Sequence, residues 1–123
     1  MGVLQAVNAT RSAYGLRPLR VDQRLRSAAR SWSATLLRQN VFSHGDFSGR
    51  MTAFHIRGSA GENLAWGTGS YGTPRSIVAA WLRSPEHRAN LLNPAYTRIG
   101  IGLARGSFQG YGGATIAAAD FGG

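Results

Sequence analysis

Two histidines and a glutamate stand where polar chemistry could be done. His44 lies in Ser43-His44-Gly45-Asp46, Glu62 in Gly61-Glu62-Asn63, and His87 in Ser84-Pro85-Glu86-His87. Two neutral imidazoles and one carboxylate, with a coordination position left to water, make a common ligand set for a divalent ion, zinc above all. His87 is the third residue after Ser84, which together with Pro85 reads as a helix start. A helix N-terminus disfavours the imidazolium, so His87 is expected to stay neutral and able to ligate. Glu86 could reach the same cleft or answer the helix dipole; adjacent helical residues point about 100° apart, which favours solvent. A lone histidine more often packs or hydrogen-bonds than ligates, so the metal reading requires the three side chains to meet.

The elements that would bring them together follow from periodicity. Val3, Leu4, Val7 and Tyr14 keep one helical face, and Gly15 stops that helix. Arg17-Pro18-Leu19 is extended. Asp22 can cap a second helix to about Asn40, where Leu25, Ala28, Ala29, Trp32, Leu36 and Leu37 recur at three- and four-residue steps. Phe42 to Gly49 reads as loop, and Met51 to Ile56 as a short helix ended by Gly58. Asn63 to Trp66 reads as a strand and Gly67 to Gly72 as a flexible loop. Thr73-Pro74 opens a helix through Leu82, and Ser84-Pro85 opens another that Asn93-Pro94 ends. Arg98 to Ala104 and Thr115 to Phe121 alternate as strands do, with hairpin-like spacing. Helices first and strands last predict an α+β fold with an antiparallel sheet, in one domain over residues 3–123.

Composition removes several alternatives. Cysteine is absent from the 123 residues, which excludes a thiolate nucleophile, redox chemistry and Cys-ligated zinc. All 14 basic residues are arginine, so there is no phosphate-loop or Schiff-base lysine. Against 5 acidic residues they give a formal charge of +9, which makes an arginine-based anion binder one reading of the chain. The arginines form no dense run, and no specific nucleic-acid motif accompanies them. HExxH and GxSxG are missing. Gly67-Thr68-Gly69-Ser70-Tyr71-Gly72 matches GxGxxG by letter. Pyrophosphate binding needs the helix to begin within the glycines, whereas Thr73-Pro74 restarts it after the last one. No apolar run approaches the roughly 18–20 residues of a membrane span. At this length folding buries roughly two-thirds of the unfolded chain's surface, so a monomer is expected to need no disulfide or structural metal for its core.

Ser43-His44-Gly45-Asp46, Gly61-Glu62-Asn63-Leu64-Ala65 and the run from Trp81 through Ser84-Pro85-Glu86-His87-Arg88-Ala89-Asn90-Leu91-Leu92-Asn93-Pro94 resemble the motifs of the CAP superfamily, the SCP or pathogenesis-related-1 domain. Val7-Asn8-Ala9-Thr10-Arg11, Gly15-Leu16, Ile99-Gly100-Ile101-Gly102 and Asp120-Phe121 also match, and the pattern is that of the bacterial, cysteine-free branch. The resemblance extends over essentially the whole chain from Val3.

It implies an α-β-α sandwich with an antiparallel sheet between helical layers, and a cleft of two His and two Glu that often holds zinc. Carried over, the histidines are His44 and His87 and the first glutamate is Glu62. The second glutamate position is Ser84 here, so one member of the tetrad is missing, and a divalent-metal site is expected to be weak. The family habit implies a secreted or wall-associated protein. Met1-Gly2 reads as an added start, with an export signal or anchor expected upstream of Val3. The leading expectation is a secreted module that binds a small-molecule or lipid-like ligand, or a cell-wall component, in the His/Glu cleft. The alternative is a metal-dependent hydrolase in which Glu62 orients a metal-bound water.

Overall fold

The last strand of the chain is buried on both faces, and that sets the architecture. In the computed structural model, which describes residues 1–123, β4 (Tyr111–Gly122) runs down the middle of a four-stranded sheet. Ala117, Ala119 and Phe121 enter one apolar cluster, and Ala114, Ile116 and Ala118 enter another on the opposite face. A strand covered on both sides needs a helical layer on each, and its small alanines let both layers approach closely.

One layer is α2 (Gln23–Gln39), which lies across β3 (Arg98–Phe108) and β4. The Asp22 carboxylate caps it by accepting from the Arg24 and Leu25 N–H groups at 2.9 and 3.0 Å. Its expected stripe is buried at Leu25, Ala28, Ala29 and Leu36. The contact with β3 is backbone against backbone. A Cβ at Gly100 would run into α2 at Leu25 and Arg26, and one at Gly102 into Ala29 and Arg30. The other layer holds α1 (Val3–Ala13), α4 (Pro74–Arg83) and α5 (Pro85–Leu91), whose Val7, Ile77, Val78, Trp81 and Leu91 pack with Ile99 and Phe121. The Trp81 indole N–H donates to the Leu64 carbonyl at 3.0 Å and pins α4 to β2 (Ala60–Thr68).

The sheet order is β1-β3-β4-β2. β2, β4 and β3 are antiparallel neighbours. The edge strand β1 (Arg20–Val21) pairs parallel to β3, so the expected antiparallel sheet carries one short parallel addition. The β3–β4 hairpin turns at Gln109-Gly110, both with positive φ, which suits the twist of the strands it joins.

Two segments depart from the sequence reading. The stretch read as loop to Gly49 already contains a helix, α3 (Phe47–Ala53), because the Asp46 carboxylate accepts from the Gly49 N–H at 3.0 Å and starts it there. The glycine segment is not a flexible loop: β2 runs on through Thr68, and Gly69–Gly72 forms a tight 3-10 turn. Its Ser70 carbonyl accepts from the Thr73 and Ser76 hydroxyls at 3.2 and 2.6 Å.

Candidate functional site

His44 and Glu62 meet. The His44 Nδ1–H donates to Glu62 Oε1 at 2.8 Å, which leaves Nε2 as the ring's free edge. The two side chains differ sharply in setting: His44 is 53% exposed and Glu62 only 2%. The chain reaches this arrangement from the end of α2. Gly45 has φ +57 and would place a Cβ 2.6 Å from the Trp32 ring, so only glycine lets the chain pass there. The Trp32 indole N–H in turn donates to the Ser43 carbonyl at 3.0 Å.

The partner that sequence reasoning missed is Arg50, on α3. Its Nη2 donates to both oxygens of Glu62 at 2.9 Å and to the His44 carbonyl at 3.1 Å. The guanidinium is 8% exposed and lies 4.2 Å from the centroid of the Trp32 ring, so its charge is held by a carboxylate below and an aromatic face above. Because the helix begins at Asp46, Arg50 falls one turn in, next to β2. A segment read as loop carried no signal of that.

Asp120 is the second missed residue. It is fully buried and stands in register with Glu62 on the neighbouring strand. Burial first, and then the Glu62 carboxylate, push its acid up to about 10, against a smaller pull from Arg50. Its two oxygens and the Nε and Nη1 of Arg50 are buried without a hydrogen-bond partner in the protein.

His87 comes from the opposite helical layer. Its Nδ1 bonds the Ser84 hydroxyl at 2.7 Å. Ser84 precedes α5 as expected but makes no capping bond to the backbone; its oxygen holds the imidazole instead. The His87 ring is half-buried, and burial, followed by the charge of the His44 ring nearby, lowers its pKa below the ordinary imidazole value, with Glu86 pulling the other way. The direction is the one expected for an imidazole that stays neutral, and its leading cause is burial. Glu86 is exposed. Buried Asn63 ties the two sides of the site together: its Nδ2 donates to the His87 carbonyl at 2.9 Å, while Asn90 Nδ2 donates to Asn63 Oδ1 and to the Glu62 carbonyl.

The three-ligand set of His44, His87 and Glu62 is not assembled. Nowhere in the chain do three His, Asp or Glu side chains gather closely enough to share a metal ion. The physical reason lies at Glu62, whose two oxygens are taken by Arg50 and His44, so a dication there would be set against a guanidinium. What the arrangement offers is two imidazoles, each fixed through Nδ1, over a buried charged frame.

No helix is long and apolar enough to cross a membrane. Among solved structures, the chain superposes on an extracellular SCP-domain protein from Bacillus anthracis with a TM-score of 0.78 and 26% identity, over 97% of this chain and 38% of that one. An outer surface protein from Borrelia burgdorferi gives 0.82 and 22% identity, over 98% and 88%. The uncharacterized protein YkwD of Bacillus subtilis is 40% identical over 106 residues, 81% of this chain and 40% of that protein. The uncharacterized membrane protein YlbC of the same organism is 34% identical, over 84% and 31%. The chain thus spans less than half the length of these two relatives. The CAP model, described as the cysteine-rich secretory protein family, matches residues 4–121, and on that match this cysteine-free chain belongs to the CAP family.

Proposed function

We propose that the chain is a secreted ligand-binding module in which the free Nε2 edges of His44 and His87 are the recognition groups. The observation that carries this is the pinned imidazole: His44 is half-exposed while its Nδ1 is fixed on an almost completely buried carboxylate that Arg50 neutralises. A ring held in one orientation and one tautomer loses little freedom on binding, which is how a polar group in a cleft contributes affinity. The ligand class is a small polar or lipid-like molecule, or a wall component, that offers hydrogen-bonding oxygens to two imidazoles. The extracellular and outer-surface proteins among its structural neighbours support a location outside the cell.

A divalent ion enters this reading only as a weak guest of the two Nε2 atoms, with Glu62 behind His44 as the carboxylate that orients it. The hydrolase reading has less support, since it needs a third protein ligand to hold and polarise a water.

The test is native mass spectrometry of the protein secreted by its own host, with elemental analysis of the same sample. The expected result is a non-covalent organic adduct, lost in His44→Ala, with metal well below one ion per chain. Stoichiometric metal with chelator-sensitive hydrolysis would establish the hydrolase instead.

A further inference from the structure

A second polar region lies at the β1 edge of the sheet, away from the histidines. There a cavity of about 330 Å³ is lined by no apolar side chain; Arg24, His55, Arg57 and Arg98 form its wall with Asp22 and Gln23. A second cavity, of about 550 Å³, takes Arg11, Arg17 and Arg20 into its lining. The short strand β1 links them: Arg20 of one cavity is the register partner of Arg98 of the other. Neighbouring strands place such partners about 4.8 Å apart.

The charges at this edge are unequal. Asp22 is the only acid in either lining, and its carboxylate is already used, capping α2 and accepting from Arg98 Nη1 at 2.6 Å. Arg98 is further held by the Gly123 carbonyl, and Arg11 is buried against backbone carbonyls. Arg17, Arg20 and Arg57 are exposed and carry no protein partner for their guanidinium groups. Arg24 is exposed and positioned: its Nη1 donates at 3.2 Å to the carbonyl of His55, a non-glycine residue at φ +59. A histidine in the left-handed region carries local strain. Here that conformation turns a carbonyl toward the guanidinium beside Arg57.

We infer that this edge is a binding site for a linear polyanion with repeating phosphate groups, which lies across β1 with Arg24 and Arg57 on one side and Arg17 and Arg20 on the other. Guanidinium forks suit phosphate, and one phosphate has enough oxygens to accept from two forks that share a cavity. A single small anion fills one cavity; a chain fills both. The wholly polar lining of the first cavity matches a polymer backbone rather than acyl chains.

The experiment is a titration of the intact protein with long-chain inorganic polyphosphate at several salt concentrations. Four phosphate contacts predict a slope of log affinity on log salt of about −3, at roughly 0.7 per contact for a single strand. Arg24→Gln/Arg57→Gln and Arg17→Gln/Arg20→Gln should each lower affinity about tenfold and roughly halve the slope. Arg38→Gln/Arg105→Gln removes the same charge at the far end of the sheet, where Leu37 packs on Gly106, and should change little. An equal loss in that control would reduce the effect to net charge and overturn the site. So would orthophosphate matching the polymer per phosphate, polyglutamate binding more tightly than polyphosphate, or binding confined to vesicles of anionic phospholipid. Unchanged thermal melting in all three double variants separates these outcomes from a folding defect.

Discussion

Glu62 and Asp120 stand directly opposite each other on β2 and β4, two buried carboxyl groups served by one guanidinium, that of Arg50. One cation cannot stabilise two buried anions at this spacing. The structure resolves the conflict by keeping a proton on Asp120, whose acid is raised to about 10, chiefly by burial and then by Glu62.

That proton links stability to pH. Asp120 ionises near pH ~4 in the unfolded chain and near about 10 in the folded one. The folded state therefore binds the extra proton between those values, and its contribution is full below about pH 4 and is lost as pH rises, by at most about 1.4 kcal/mol per unit. Asp120→Asn removes the linkage. Urea midpoints between about pH 5 and 9 should fall with pH in the parent and less steeply in the variant, which should be the more stable at the upper end. Identical slopes in the two proteins would refute the assignment of the proton.

Arg50→Met strips Glu62 of its cation while leaving it 2% exposed, and should cost about 3–5 kcal/mol. Arg50→Met/Glu62→Gln removes both charges and should recover much of that loss. Denaturant midpoints for the two singles and the double give the coupling directly; additive losses would mean that the pair is not coupled.

Gly100→Ala sets a methyl against the backbone of α2, which cannot yield as a side-chain tip would. The variant should lose about 3 kcal/mol or more. Gly112→Ala, where the added carbon has open space around it, is the matched control and should move the midpoint by about 0.5 kcal/mol at most.

Much of this was legible in the sequence. Asp22, Thr73-Pro74 and Ser84-Pro85 marked helix starts because caps and first-turn prolines act locally, within one turn of the residues that show them. His44 and Glu62 also met as expected. Arg50 escaped because its role depends on where α3 begins, and Asp46 sits among loop-forming residues. Asp120 escaped for a different reason. It continues an alternating, alanine-rich run that is buried on both faces, so only the register with β2 reveals the carboxyl it faces. A two-residue parallel strand such as β1 has no periodicity to read at all.

Ser84→Glu places a carboxylate where the family pattern implied by the resemblance has its second glutamate, beside an imidazole already held below its ordinary pKa. Zinc affinity should rise by about tenfold, and His44→Ala or His87→Ala should abolish it in the same background. Calorimetry of the parent and the three variants would show it; no gain on adding the carboxylate would mean that the missing ligand is not what keeps the site weak.

Glu62 is held by Arg50 and His44, and we expect it to stay with them rather than ligate a metal ion. Zinc titration followed by nitrogen and carbon magnetic resonance tests it most directly, on protein labelled in its imidazoles, guanidinium groups and carboxylates. Weak, fast-exchanging shifts of Nε2 at His44 and His87 are expected, with the Glu62 carboxylate and the Arg50 Nη2 resonances unmoved. A tight, slowly exchanging complex in which the Glu62 carboxylate shifts and Arg50 is released would contradict it.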